Sequence, residues 1–140
     1  MPFDRILVAI DGSPGGQKAL EKAIELAKVA GASLGALAVE GRLPAYAATV
    51  GEVEETKREK DAFFSKLARL AQEQAEEQGL DVKVDVLPGH AAELIVRYAR
   101  ERDFDLVVVG HKGHFLEDYL LGSTADRVAH HAHCPVLIVK

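Results

Sequence analysis

The sequence predicts an α/β fold, a parallel sheet with helices on both faces, and two observations carry that reading. Two short runs, RILVAI at 5–10 and LVVV at 106–109, are apolar without a break, the mark of strands buried on both faces. Around them strand-like and helix-like patterns alternate along the whole chain. Alternation at this spacing requires right-handed crossovers between parallel strands.

The first strand, 5–10, ends at Asp11-Gly12-Ser13-Pro14, a turn-and-cap sequence. A helix follows over about 15–29, with Ala19, Leu20, Ala23, Ile24 and Ala27 at helical spacing, and Gly31 stops it. The run LGALAV at 34–39 reads as the second strand, followed by a loop through Gly41, Pro44 and Gly51. A long charged helix is expected over 52–78, with Phe63, Phe64, Leu67, Leu70 and Ala71 as its inward stripe and its start projecting beyond the core. Residues 82–87 set Val82, Val84 and Val86 against Lys83 and Asp85, so this strand is expected half exposed at a sheet edge. Pro88-Gly89 leads into a helix over about 91–102, with Leu94, Ile95, Tyr98 and Ala99 facing inward. The strand at 106–109 comes next, then a glycine-bearing stretch, a helix over about 123–131, and a last strand at 136–139 entered through Pro135. The two fully apolar strands are expected to be central and adjacent. In a doubly wound sheet that is where strand order reverses and ligands bind, beyond the carboxyl ends.

The chain has 140 residues, which reads as one domain over 1–140 with a core of its own. A net charge of -5 argues against broad nucleic-acid binding, which needs a basic field, but leaves room for a small anion held locally by backbone amides. The one cysteine, Cys134, makes no internal disulfide, and the N-terminus shows no signal-peptide pattern. No apolar run approaches the ~20 residues of a membrane-spanning helix, so the expectation is a cytoplasmic protein without a membrane partner.

The stretch 106–124, LVVVGHKGHFLEDYLLGST, carries the chemistry. It leaves a buried strand at Gly110, turns at Gly113, and enters a helix at Gly122-Ser123-Thr124. Free amides at a helix start, together with the positive end of its dipole, favour a phosphate. Ser123 also fits an N-cap, with Asp126 completing a capping-box-like pair. Asp11, at the neighbouring strand tip, is suited to a ribose diol. Lys112 lies within reach of a terminal phosphate as a point charge.

His111, His114, His130, His131 and His133 lack the i,i+4 spacing of a helical zinc site, and no protein-built metal site is expected. Glu117 and Asp118 read as solvated charges, and Cys134 as a buried, inert thiol. There is no P-loop, no G-x-G-x-x-G fingerprint, and no nucleophile–base set on matching strand tips.

On ILVAIDGS, PGHAAELIV, DLVVVGHKG and LLGSTADRVAHHAHCPVLIV, the chain resembles the universal stress protein family over nearly its full length. The family's ATP-binding branch carries Gly-x2-Gly-x9-Gly-Ser/Thr. Gly110, Gly113, Gly122 and Ser123 match it, with eight residues rather than nine between Gly113 and Gly122. The resemblance implies a Rossmann-like, five-stranded parallel sheet of order 3-2-1-4-5, of the adenine nucleotide alpha hydrolase type. It also implies ATP, alone or with Mg²⁺, as the ligand. Ala9, Val39 and Val109 would then line the adenine slot and Asp11 would hold the ribose. Gly110, Lys112, Gly113, Gly122, Ser123 and Thr124 would meet the phosphates. A homodimer formed by antiparallel pairing of the strands at 136–139 is implied as well. The expected role is a nucleotide-dependent stress sensor or switch. Alternatives are a slow ATP hydrolase or adenylyl-transfer enzyme, and a dimer scaffold that binds no nucleotide.

Overall fold

Period-two alternation within buried strands sends side chains to both faces of the sheet, and each face must then find its own helices. The computed structural model, which describes residues 3–40, 50–111 and 122–140 (in the long helix, side chains from residue 54), is built this way. Strands β1 (Arg5–Ile10), β2 (Ser33–Glu40), β3 (Val82–Pro88), β4 (Leu106–Gly110) and β5 (Val136–Val139) form one sheet of order β3-β2-β1-β4-β5. Every pairing in it is parallel. The two continuously apolar strands are its central neighbours, and β3 is an edge, as the patterns predicted.

Helices α1 (Pro14–Ala30) and α2 (Val50–Glu77) cover one face, where Ile6, Val8, Ile10, Leu34 and Val108 meet Leu20, Ala23, Ala71 and Ala75. Helices α3 (Ala91–Glu101) and α4 (Ser123–His131) cover the other, where Leu7, Leu37, Val107 and Val109 meet Ile95, Tyr98, Ala125 and Val128. Alanines line the inner faces of all four helices, which lets the helix axes lie close on the sheet.

Two expectations about the helices are corrected. The inward stripe of α2 is Phe64, Leu67, Ala71 and Ala75, while Phe63 and Leu70 remain 50% and 46% exposed. One helix side can meet the sheet, and Phe63 and Leu70, seven apart, lie together just beside that stripe. The N-cap of α4 is Gly122, with extended φ/ψ and no side-chain cap bond, so Ser123 stands one position inside the helix.

The edge strand is tied to α3 by chemistry that the alternation pattern hid. Asp85, expected to face solvent, is half-buried and accepts a hydrogen bond from the Tyr98 hydroxyl. Tyr98 stacks on Phe104 with ring centroids 5.8 Å apart, and the Arg102 guanidinium lies 4.6 Å from the Tyr98 ring centre. Burial, then the bond to Asp85 and its charge, push the Tyr98 hydroxyl from an ordinary 10.0 up to about 12. Because the folded value is the higher one, this stabilisation is complete below pH 10 and disappears as pH rises through about 12. Urea unfolding should therefore show wild-type stability falling by on the order of 2 kcal/mol across that window, relative to Tyr98→Phe. Parallel pH curves for the two proteins would refute the tie.

Candidate functional site

The ladder between β1 and β4 stops short of the strand tips. It runs through Ile6↔Leu106, Leu7↔Val107 and Val8↔Val108, and no further. Beyond it each strand stays with its outer neighbour, Ile10 opposite Ala38 and Gly110 opposite Val139. The tips part, and a cavity of about 260 Å³ opens between them, near the lower end of the ~300–1,000 Å³ typical of small-molecule sites.

Its floor and walls are apolar: Ala9, Leu37, Val39 and Val109 from the strands, Ala91 and Ile95 from α3. Its polar rim is Asp11, Ser13, Ser123 and Thr124. Seven of the residues that sequence assigned to nucleotide binding line this one space: Ala9, Asp11, Val39, Val109, Gly110, Ser123 and Thr124. Lys112 and Gly113 lie outside the described residues, as do His114, Glu117 and Asp118. Gly122 is not among the cavity-lining residues: its N–H donates to the His111 carbonyl at 2.8 Å, and the His111 N–H donates to Val139 O at 2.7 Å.

Asp11 is held by the turn that it begins. Its Oδ1 accepts from the Ser13 N–H at 2.8 Å and from the Ser13 hydroxyl at 2.5 Å. Ser13 is 2% exposed and caps α1, its Oγ accepting from the Gly16 N–H at 3.1 Å. One carboxylate oxygen is thereby anchored, and Oδ2 has no protein donor among the described residues.

At α4 the first amide with a protein acceptor is that of Asp126, bonded to Gly122 O at 2.9 Å. The amides of Ser123, Thr124 and Ala125 have none among the described residues, as the opening turn of a helix dictates. A carboxylate oxygen and a set of helix-start amides thus share one apolar cleft. The first suits a hydroxyl donor and the second an anion.

Gly110 is required by the fold itself. A Cβ there would stand 2.7 Å from Gly15 O and 2.8 Å from Gly15 C, backbone atoms of the first turn of α1. Ser13, Gly16, Leu37, Ala91 and Ile95 were not picked out from sequence as site residues. Ser13 had a cap signal in DGSP, while the apolar ones read as ordinary core.

Outside the cavity, the His130 ring bonds the Asp126 carbonyl at 2.8 Å within α4. Among the described residues no three His, Cys, Asp or Glu side chains gather into a metal-holding group. Burial, with the charge of Asp105, pushes the Cys134 thiol up, so it is a poor nucleophile. Among the described residues no helix is long and apolar enough to cross a membrane. Gly110→Ala should lower stability by ~1–3 kcal/mol in urea unfolding, the cost of overpacking against fixed backbone. A change under ~0.5 kcal/mol would mean that the β4 tip and α1 are not in contact.

Three comparisons bear on this site. The model of the Universal stress protein family matches residues 2–140. Universal stress protein YxiE of Bacillus subtilis is 33% identical over 147 residues, covering 99% of each chain. Among solved structures, universal stress protein UspA from Lactobacillus plantarum superposes with a TM-score of 0.90 at 26% identity, covering 100% of this chain and 99% of that one. A universal stress protein in complex with cAMP superposes with a TM-score of 0.77 at 25% identity, covering 99% of this chain and 98% of that one.

Proposed function

The chain belongs to the universal stress protein family, and on that premise we propose that it binds an adenine nucleotide, ATP in the cell, between the parted tips of β1 and β4. The observation that carries this reading is one apolar cleft combining the Asp11 carboxylate with α4 amides that have no protein acceptor among the described residues. A relative with this fold, solved in complex with cAMP, supports it. The base packs against Ala9, Val39 and Val109, with Leu37 behind them. Oδ2 of Asp11 accepts from a ribose hydroxyl while Oδ1 stays with Ser13. Gly110, Ser123 and Thr124 meet the phosphates. Lys112, Gly113 and Gly122 are assigned to the phosphates as well. Mg²⁺ enters with the phosphates, with no described side chain assigned to it.

The protein is read as a cytoplasmic switch made of one domain over 1–140. Nucleotide binding is passed on through the entrance to α4, where the Gly122 N–H donates to the His111 carbonyl. In ligand titrations ATP, ADP, AMP and cAMP should bind and GTP should bind more weakly. Asp11→Ala should cost ~10- to 100-fold, the worth of one charge-assisted hydrogen bond. Equal or absent binding of all five nucleotides would overturn the reading.

A homodimer through β5 is part of the proposal. The Pro135 and Val139 carbonyls point to β4, so by alternation the N–H and C=O groups of Val136 and Ile138 point to the open edge. Ile138→Pro removes one of those donors while leaving the β4 ladder intact, and sedimentation should show dimer turning to monomer. An unchanged dimer would place the interface elsewhere.

A further inference from the structure

Phe63 is half exposed, and its ring is nevertheless in use. Its Cζ stands 2.5 Å from where a Cβ on Gly12 would be, so the ring fills the space that a side chain at position 12 would need. Gly12 has a φ of 82°, which glycine adopts without the steric cost that a side chain brings. The glycine thus serves two ends, a left-handed turn and a seat for an aromatic ring.

The residues on either side of Gly12 are the carboxylate and its anchor, Asp11 and Ser13. On its other side Phe63 packs edge-on against Phe64, with centroids 5.0 Å apart, and Phe64 is lodged against the α1–α2 core. A continuous line of contacts therefore runs from that core through Phe64 and Phe63 to the turn that holds Asp11. It reaches the turn from the face of the sheet opposite the nucleotide cavity, beside a cleft of about 440 Å³ that Gly12, Pro14, Leu67 and Leu70 also line.

We propose that Phe63 is a positioning residue for the nucleotide cavity. Its ring holds Gly12 down and so keeps Oδ1 of Asp11 on Ser13, with Oδ2 facing the ligand. It also makes α2 the helix through which the state of that turn reaches the outer surface. Coupling of this kind is reciprocal, so whatever shifts α2 changes nucleotide affinity by the factor with which nucleotide shifts α2. The inference rests on the nucleotide reading for its ligand, while the Phe63–turn coupling has a readout of its own.

The experiment compares wild type, Phe63→Ala, Phe63→Leu and Phe63→Tyr by AMP titration, thermal unfolding and amide hydrogen exchange at Ser13, whose N–H donates to Asp11 Oδ1. Phe63→Ala should weaken AMP binding ~5- to 20-fold and speed Ser13 exchange, with the melting temperature within ~3 °C of wild type because the ring is half exposed. Phe63→Tyr should restore both, and Phe63→Leu should fall between. If Phe63→Ala does not fold, the leucine variant carries the same comparison. In an Asp11→Ala background, Phe63→Ala should add less than about twofold, since its route runs through the carboxylate. Wild-type affinity and wild-type Ser13 exchange in Phe63→Ala would overturn the proposal. A wild type that binds no AMP would instead remove the nucleotide reading, and unchanged Ser13 exchange would then still decide against Phe63.

Discussion

The site depends on where β1 and β4 let go of each other. Their ladder carries three registered pairs and then ends, although both strands continue. Each tip is retained by its outer neighbour, because β2 and β5 remain paired to the end. A crossover sheet creates this divergence wherever strand order reverses, since the connections leave to opposite sides. What lies between the tips has an apolar floor made of the same alternating positions that build the core below it.

Two helix starts then determine the chemistry of the opening, in different ways. At α1 the orphan amides are partly answered from within. Ser13 accepts from Gly16 and donates to Asp11, leaving the carboxylate half satisfied and half directed outward. At α4 the cap is a glycine with no side chain to offer, so nothing in that turn's own chemistry answers the first amides. A serine at the cap position would have consumed one of them. Capping α1 while leaving α4 open gives one end of the cleft an acceptor and the other end donors.

The same economy of contact appears across the sheet. Helix α1 comes so near the β4 tip that Gly110 has no room for a Cβ, and α2 comes so near the β1 turn that Phe63 occupies the side-chain space of Gly12. Both elements on the α1–α2 face therefore press on the backbone of the site from behind. On the opposite face, the hydrogen bond from Tyr98 fastens α3 to the edge strand and its stack on Phe104 fastens α3 to the turn before β4, and α3 carries Ala91 and Ile95 above the cavity. The walls of the cleft are extensions of the two cores, so its shape is as well determined as they are.

The linear chain was enough to establish the five strands, their alternation with four helices, and the centrality of 5–10 and 106–109. Unbroken apolar runs and glycine punctuation are local signals, legible without partners. It also marked Asp11, Gly110, Ser123 and Thr124, because turn glycines and helix starts announce themselves by residue type. Tertiary structure alone decided that Leu37, Ala91 and Ile95 belong to the site, since a core residue and a cavity wall have the same composition. It decided that Gly122 caps α4 rather than Ser123, a difference of one residue in where φ and ψ turn helical. It decided that Asp85 meets Tyr98, and that Phe63 leaves the α2 stripe to rest on Gly12. Those outcomes depend on how a helix is rotated about its own axis when it docks. Side-chain period constrains that angle only to within a residue, and packing against a particular neighbour sets it.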